Sequence, residues 1–468
     1  MAAMIRSRQI TSAELVRAHL DEIQRINPSL NAAVELLSDS ALRAATETDR
    51  RLAAGQPCGP LDGVPFSVKD SIDVNGTRST AGTLGRKQAA PAPRDATLVA
   101  RLREAGAIPI AKTNLPDLLF SFETDNLIFG RTNNPYDLER SPGGSSGGES
   151  ALIAACGSPL GLGSDALGSV RVPAAFCGIA SIKPTSGRLP RTGHVPPAGG
   201  WIEALWQIGP MARYVEDLEL AMQILAGPDR KDFTSLPVPL FEARPLADLR
   251  VAFFTDNGFA ICSEAVSTGV ERCAEFLARE GLRVEEQRPP GVENAYQLEL
   301  ALLGSDGADG IDEYLGDTGS TEVHPFLTAF LSHMRPHRTT TSGLARRWAQ
   351  WDDYRADMKL FFDSYDVVLC PAYTQTALKH GGSLEESSFR GFSYTMAWNA
   401  SGAAAATVRC GEDAGLPVNV QVVARPWDDM TALKVCRAIE AKFGGWKPPE
   451  VYAAGTNRTS TGDFTSTF

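Results

Sequence analysis

Two glycine-serine loops close together in the chain restrict its fold more than any other feature. The first, Pro142-Gly143-Gly144-Ser145-Ser146-Gly147-Gly148, sets two hydroxyls between two glycine pairs. The second, Gly163-Ser164-Asp165-Ala166-Leu167-Gly168-Ser169-Val170-Arg171, carries a serine 24 residues after Ser145. Glycine reaches backbone conformations closed to other residues, so such runs mark sharp turns or close approaches of the main chain. The helix-forming run Glu149–Ala155 follows the first loop at once. A loop opening into a helix leaves the first amides without intrahelical partners, and they are expected to face outward toward an anion or oxyanion.

Around these loops the apolar pattern alternates between strands and helices. Thr11-Ser12-Ala13-Glu14 has capping-box spacing, and Val16, Leu20 and Ile23 follow at helical intervals until Asn27-Pro28, where the run is expected to stop. A second helix is expected from Asp39 to Ala54. Gly63 to Asp70 reads as a short strand emptying into a turn-rich loop, with Lys69 at the strand's end. Ala107–Ala111, Val251–Phe254, Val367–Cys370 and Val418–Val423 have the length of buried strands, and Glu264–Glu280, closed by Gly281, reads as a helix. The expected class is an α/β sandwich with a largely internal sheet. The segment from His324 to Asp366, rich in helix formers and aromatics, is expected to cover one face.

Composition narrows the function classes. Lys and Arg number 45 against 56 Asp and Glu, a formal net charge of −11, so there is no basic footprint for nucleic acid. No apolar run approaches the ~18 residues of a spanning helix, and the first residues lack a signal-peptide core. A cytoplasmic location without a membrane span is expected. The eight cysteines form no Cys-x-x-Cys pair, which argues against a zinc ribbon or a dithiol motif. The sequons at Asn399 and Asn457 then read as accidental.

Lys69 in SVKD, Ser145 in GGSSGGE and Ser169 in LGSVR are joined by Ala111-Lys112-Thr113-Asn114-Leu115-Pro116, Phe176-Cys177-Gly178, Lys183-Pro184-Thr185 and Gly415-Leu416-Pro417. On these residues the chain resembles the amidase signature family over nearly its whole length. The resemblance implies one catalytic domain over residues 1–468: a central twisted mixed sheet surrounded by helices. Residues 1–55 would supply N-terminal helices, 60–215 the signature core, 293–366 a helical cover over the substrate pocket and 452–468 a frayed tail. It also implies a cofactor-independent, metal-free hydrolase of apolar amides, anilides or carbamates (urethanes), with esters as possible side substrates, working as a monomer or homodimer. Ser169 would be the nucleophile, Ser145, behind a cis Gly144–Ser145 peptide, the relay, and Lys69 the base.

The chemistry agrees with those roles. A serine hydroxyl is a weak nucleophile and needs a base within hydrogen-bond reach, and a lysine serves only if burial keeps it neutral. The apolar sequence neighbours Val64, Phe66 and Val68 are expected to bury Lys69. The amides of Ala166, Leu167, Gly168 and Ser169 are expected to hold the oxyanion. Ser146 is expected to hydrogen-bond within its loop, Asp165 and Arg171 to brace the second loop as a pair, and Cys177 to fill core. Leu167 departs from the family, which usually has glycine there; if the position needs φ > 0, Leu is strained and the loop altered. The resemblance further implies that Leu118, Leu119, Phe120 and Phe122, with Trp201 and Trp206, line an apolar substrate pocket. Tyr373, Gln375 and Thr376 could border it.

Three rival readings are weaker. Gly143-Gly144-Ser145-Ser146-Gly147 fits the G-x-S-x-G nucleophile elbow, but the turn-like Asn133–Asp137 precedes it where a strand belongs, and no downstream histidine stands out. His333 and His337 have i, i+4 spacing for a metal-dependent amidohydrolase, yet Pro336 lies between them and Met334 stands where the H-E-x-x-H glutamate belongs. One branch of the family is a partner-dependent glutamine amidotransferase component, which would need a polar pocket for a charged amino acid.

Overall fold

The apolar runs read as strands are joined into one sheet. The computed structural model describes residues 1–56, 59–197 and 203–453. Its strands are β1 (Ala33–Leu36), β2 (Pro65–Lys69), β3 (Ile108–Thr113), β4 (Leu160–Asp165), β5 (Ala180–Lys183), β6 (Gln207–Ala212), β7 (Arg250–Phe253), β8 (Arg283–Glu286), β9 (Val367–Pro371), β10 (Ala404–Asp413) and β11 (Leu416–Ala424). Among the described residues they form an eleven-stranded sheet in the order β1-β3-β2-β4-β6-β5-β10-β11-β9-β7-β8. β2 runs parallel to both β3 and β4, whereas β4–β6, β5–β6, β5–β10, β10–β11 and β11–β9 are antiparallel. The sheet is therefore mixed, with helices around it, and the α/β expectation holds.

Burial follows the side-chain alternation of strands. On β2, Phe66 and Val68 enter an apolar core with Leu160 and Leu162 of β4, so Ser67 and Lys69 project from the opposite face. There the helix Gly147–Ala154 packs against the sheet with all its residues buried. The glycines of β4 make room for it. A Cβ on Gly161 would fall 1.8 Å from Glu149 Oε1, and one on Gly163 would fall 2.8 Å from Ser146 Oγ.

The N-terminal helix begins with the capping box read from Thr11 and Glu14, both bonds being present. It does not stop at Asn27-Pro28: it spans Ser12–Leu30 with Pro28 inside. The ending is set further on. Asn31 takes a left-handed conformation, and Asn27 Oδ1 accepts the amides of Ala32 and Ala33, so the Asn27 side chain satisfies the turn that Pro28 was expected to break. Within 293–366 lie the helices Ala295–Leu303, Asp309–Asp317, Pro325–Met334 and Thr341–Ser364. Tyr296, Leu300, Leu303, Phe330 and Leu331 from these pack with Leu118, Phe122 and Leu167 in one cluster. Of the tail, Tyr452 docks its hydroxyl on Ser29 Oγ at 2.8 Å, and residues 454–468 lie outside the described residues. None of the described helices is long and apolar enough to cross a membrane.

Candidate active site

Lys69 ends β2 with its side chain buried. Its Nζ lies 2.7 Å from Ser145 Oγ, 3.0 Å from Ser146 Oγ and 3.1 Å from Ser164 Oγ, and it also faces Ser164 O at 3.3 Å. No carboxylate pairs with it among the described residues. Burial holds its pKa well below the ordinary lysine value, although the charges of Asp165 and Glu149 pull the other way. Glu149 answers the same physics: burial raises its carboxyl to about 7 while Thr113 Oγ1 and Ser67 Oγ donate to it.

The first loop has a cis Gly144–Ser145 peptide, as the family resemblance implies. The amides at the start of its helix do not face an anion, contrary to expectation. Ser146 N–H donates to Ser169 O at 3.1 Å, Gly147 N–H to Thr124 Oγ1 at 3.1 Å and Gly148 N–H to Asn114 O at 3.2 Å. These bonds clamp the helix to its neighbours and tie the first serine loop to the second.

The second loop is organised by Asp165 at the end of β4. Its carboxylate accepts the amides of Gly168 at 2.8 Å and Val170 at 3.1 Å, and both its oxygens take bonds of 2.9 Å from the Arg171 guanidinium. Arg171 reaches onward to Gln421 Oε1 at 2.8 Å, Thr395 O at 2.9 Å and Asn399 Oδ1. The Arg171 charge holds the Asp165 carboxyl far below its usual range despite complete burial. Asn399, read from the sequence as an idle sequon, is buried and donates to Asp165 Oδ1 at 2.9 Å.

Of the four amides expected to face an oxyanion, that of Gly168 is turned instead to Asp165. Those of Ala166, Leu167 and Ser169 have no partner among the described residues. The feared strain at Leu167 is absent, because Gly168 alone in this loop carries the positive φ, +122°. Leu167 O accepts from Thr395 Oγ1 at 2.7 Å, and its side chain is buried.

Ser145 and Ser169 open onto a cavity of about 150 Å³. Ser169 is 8% exposed against 2% for Ser145 and 0% for Lys69, so of the three polar groups it is the one most open to an entering molecule. Leu118, Leu119, Phe120 and Phe122 line the cavity as read from the sequence, with Leu167, Leu205, Trp206, Leu303 and Phe330. Leu118 and Leu119 adopt φ of +50° and +67°. Trp201 lies outside the described residues. Tyr373 turns away to donate to Ser388 O at 2.9 Å. Asp165 and His194 are the only ionisable side chains among the described lining residues, and Asp165 is committed to Arg171.

Sequence reasoning missed Ser164, as a contact of Lys69, and His194. His194 comes beside β2 through an isolated antiparallel bridge to Ile72, a tertiary contact with no sequence signal. The other histidine candidates stand apart: His333 lies in the helix Pro325–Met334 and stacks on Phe389, whereas His337 follows in a separate 3₁₀ turn containing Pro336.

A family model described as Amidase matches residues 14–433. The chain is 30% identical over 469 residues to a glutamyl-tRNA(Gln) amidotransferase subunit of Heliobacterium modesticaldum, covering 93% of this chain and 94% of that protein. It is 32% identical over 483 residues to fatty-acid amide hydrolase 2 of Homo sapiens, covering 96% and 89%. A solved bacterial aryl acylamidase of the amidase signature family superposes with a TM-score of 0.86 at 25% identity, covering 98% of each chain.

Proposed function

Since this chain belongs to the amidase signature family, hydrolases of non-peptide carbon–nitrogen bonds, we propose that it cleaves apolar amides, anilides or carbamates through an acyl-enzyme on Ser169. The observation that carries this reading is the 2.7 Å contact between Ser145 Oγ and a buried lysine with no carboxylate partner among the described residues. In this reading the one lone pair of a neutral Lys69 accepts from Ser145, the nearest of its hydroxyl neighbours.

In the acylation step Lys69 takes the proton of Ser145, and Ser145 takes that of Ser169 as Ser169 Oγ bonds to the substrate carbonyl carbon. The developing oxyanion meets the amides of Ala166, Leu167 and Ser169, each good donor contributing about 3 kcal/mol. The carbon–nitrogen bond then breaks while Ser145 returns a proton to the leaving nitrogen. Water, deprotonated by the same relay, hydrolyses the ester and frees Ser169. Ser146, Asp165 and Arg171 hold the two loops in register for these transfers and exchange no proton themselves.

The cavity favours apolar substrates. It offers no unpaired cation for an α-carboxylate and no free carboxylate for an ammonium group among the described residues, so a zwitterion such as glutamine would enter at the full cost of desolvation. That feature sets this chain apart from an amidotransferase reading.

The test is fluorophosphonate labelling followed by peptide mass spectrometry, with product analysis on an aliphatic amide, an anilide, an aryl carbamate, an ester and glutamine. We expect the label on Ser169, and cleavage of the anilide or carbamate that Ser169→Ala abolishes. A label elsewhere, or turnover of glutamine alone and only with added partner proteins, overturns the proposal.

A further inference from the structure

The hydroxyls around Lys69 have directions that can be worked out from their neighbours. His194 Nδ1 lies 3.0 Å from Pro196 O, and a carbonyl only accepts, so Nδ1 carries the ring proton. Nε2 is then a bare acceptor. It stands 3.1 Å from Ser164 Oγ and 3.0 Å from Ser71 Oγ, and its single in-plane lone pair is shared between these two hydroxyl donors. Burial lowers the pKa of the imidazole to about 3, which keeps Nε2 unprotonated at neutral pH. The ring is held by Trp206, its centroid 4.5 Å away, and by the backbone bond from Val195 N–H to Ser71 O at 2.7 Å.

The second neighbour of the lysine is equally determined. Ser146 Oγ donates to Ser164 O at 3.3 Å and accepts from Ser164 N–H at 3.3 Å, so toward Lys69 it presents an acceptor. A neutral lysine has two N–H donors and one lone pair. One N–H goes to Ser146. The other goes to Ser164 O at 3.3 Å or to Ser164 Oγ at 3.1 Å, and either arrangement leaves the lone pair to Ser145 as long as the Ser164 proton points elsewhere.

We infer that His194, acting through Ser164, is a positioning residue for the general base: its bare Nε2 draws the Ser164 proton away from Lys69 and leaves the lysine lone pair to Ser145. Without that acceptor the Ser164 hydroxyl turns to donate to Lys69 Nζ, 3.1 Å away, and competes with Ser145 for the one lone pair that does the chemistry. This inference rests on the proton relay proposed above and adds a residue to it.

The experiment compares the rate of Ser169 labelling by a fluorophosphonate, and kcat and KM on one anilide, across wild type, His194→Leu, His194→Gln, Ser164→Ala and the His194→Leu, Ser164→Ala double variant. His194→Leu should slow labelling and kcat by about tenfold or more with KM little changed, a fraction of what a general base supplies. His194→Gln, whose side-chain oxygen replaces the acceptor, should recover most of the rate. The double variant should be no slower than Ser164→Ala alone, because removing the hydroxyl removes the competitor. Labelling by His194→Leu at the wild-type rate overturns the inference. So does equal loss in the Leu and Gln variants alongside equal loss of thermal stability, or additive losses in the double variant. Wild-type enzyme that fails to label at Ser169 overturns the relay reading itself, and this inference with it.

Discussion

Arg171 and Asp165 face each other fully buried, two guanidinium nitrogens meeting two carboxylate oxygens at 2.9 Å each, and the same carboxylate fixes the amides of Gly168 and Val170. The pair spans the ends of the loop that carries Ser169. Truncating either partner strands a buried charge, a change that costs about 3 to 5 kcal/mol in comparable sites. Arg171→Ala should therefore lower Tm by several degrees and abolish turnover. Arg171→Lys, which cannot form the bidentate contact, should fold better yet remain slow. Thermal denaturation and anilide hydrolysis on the same preparations check both.

In the proposed relay Lys69 can serve as base only when neutral, so activity should rise with pH through its lowered pKa and level off well below the ordinary lysine range. The stability consequence has a definite sign. Below the ordinary lysine pKa the unfolded chain binds a proton that the folded chain refuses, so folding opposes protonation and stability rises with pH over that window. Lys69→Met should abolish activity and raise Tm at pH 7, with the gain vanishing toward about pH 11. A variant less stable than wild type at pH 7 would contradict the buried neutral lysine.

Glu149 is shifted the other way, from 4.5 to about 7 by burial. A raised carboxylate pKa stabilises the fold below the unfolded value, and that contribution is lost as pH climbs through the folded one. Wild type should lose Tm relative to Glu149→Gln between about pH 4.5 and pH 7, since the amide cannot ionise. Parallel Tm curves across that window would remove the buried-acid assignment.

Gly168 carries φ of +122°, and a Cβ there would lie 2.2 Å from Thr395 Oγ1. Gly168→Ala should cost both stability and activity, because the collision displaces the hydroxyl that binds Leu167 O. Leu167→Gly is the informative contrast. It removes a side chain from the cavity wall without a φ requirement at that position, at a stability cost of roughly 2 to 4 kcal/mol for a lost buried leucine. Its kcat/KM should shift toward substrates with bulkier acyl groups, read from a series of anilides of increasing size.

How much of this was legible in the sequence differs from residue to residue. Lys69 and Ser145 were expected to meet because the proposed chemistry restricts both residue type and loop composition, and the structure sets them 2.7 Å apart; the strands were legible because β2, β3 and β11 are mainly apolar and buried along their whole length. The helix end at Leu30 was hidden because it depends on what the Asn27 side chain finds to bond three-dimensionally, which outweighs the break that Pro28 signals. The donors at the start of the helix Gly147–Ala154 were misjudged for a related reason: whether an amide is spare depends on Thr124, Asn114 and Ser169, brought there by other elements. Ser164 meets Lys69 through parallel pairing of β2 with β4, and His194 meets Ser164 through the bridge at Ile72, so no local pattern announces them. Asn399 matched a modification motif by accident and is a buried ligand of Arg171.

The bonds from Arg171 to Asn399 and Gln421 span 228 and 250 residues of chain. During synthesis every serine and lysine of the site leaves the ribosome long before these two partners do. The Asp165–Arg171 pair joins residues only six apart, whereas the Arg171 contacts to Asn399 and Gln421 wait for the helix Ser393–Ala400 and for β11. The loop beneath Ser169 is thus held by one local pair and braced by distant ones, and the distant braces are the last of its constraints to be synthesised.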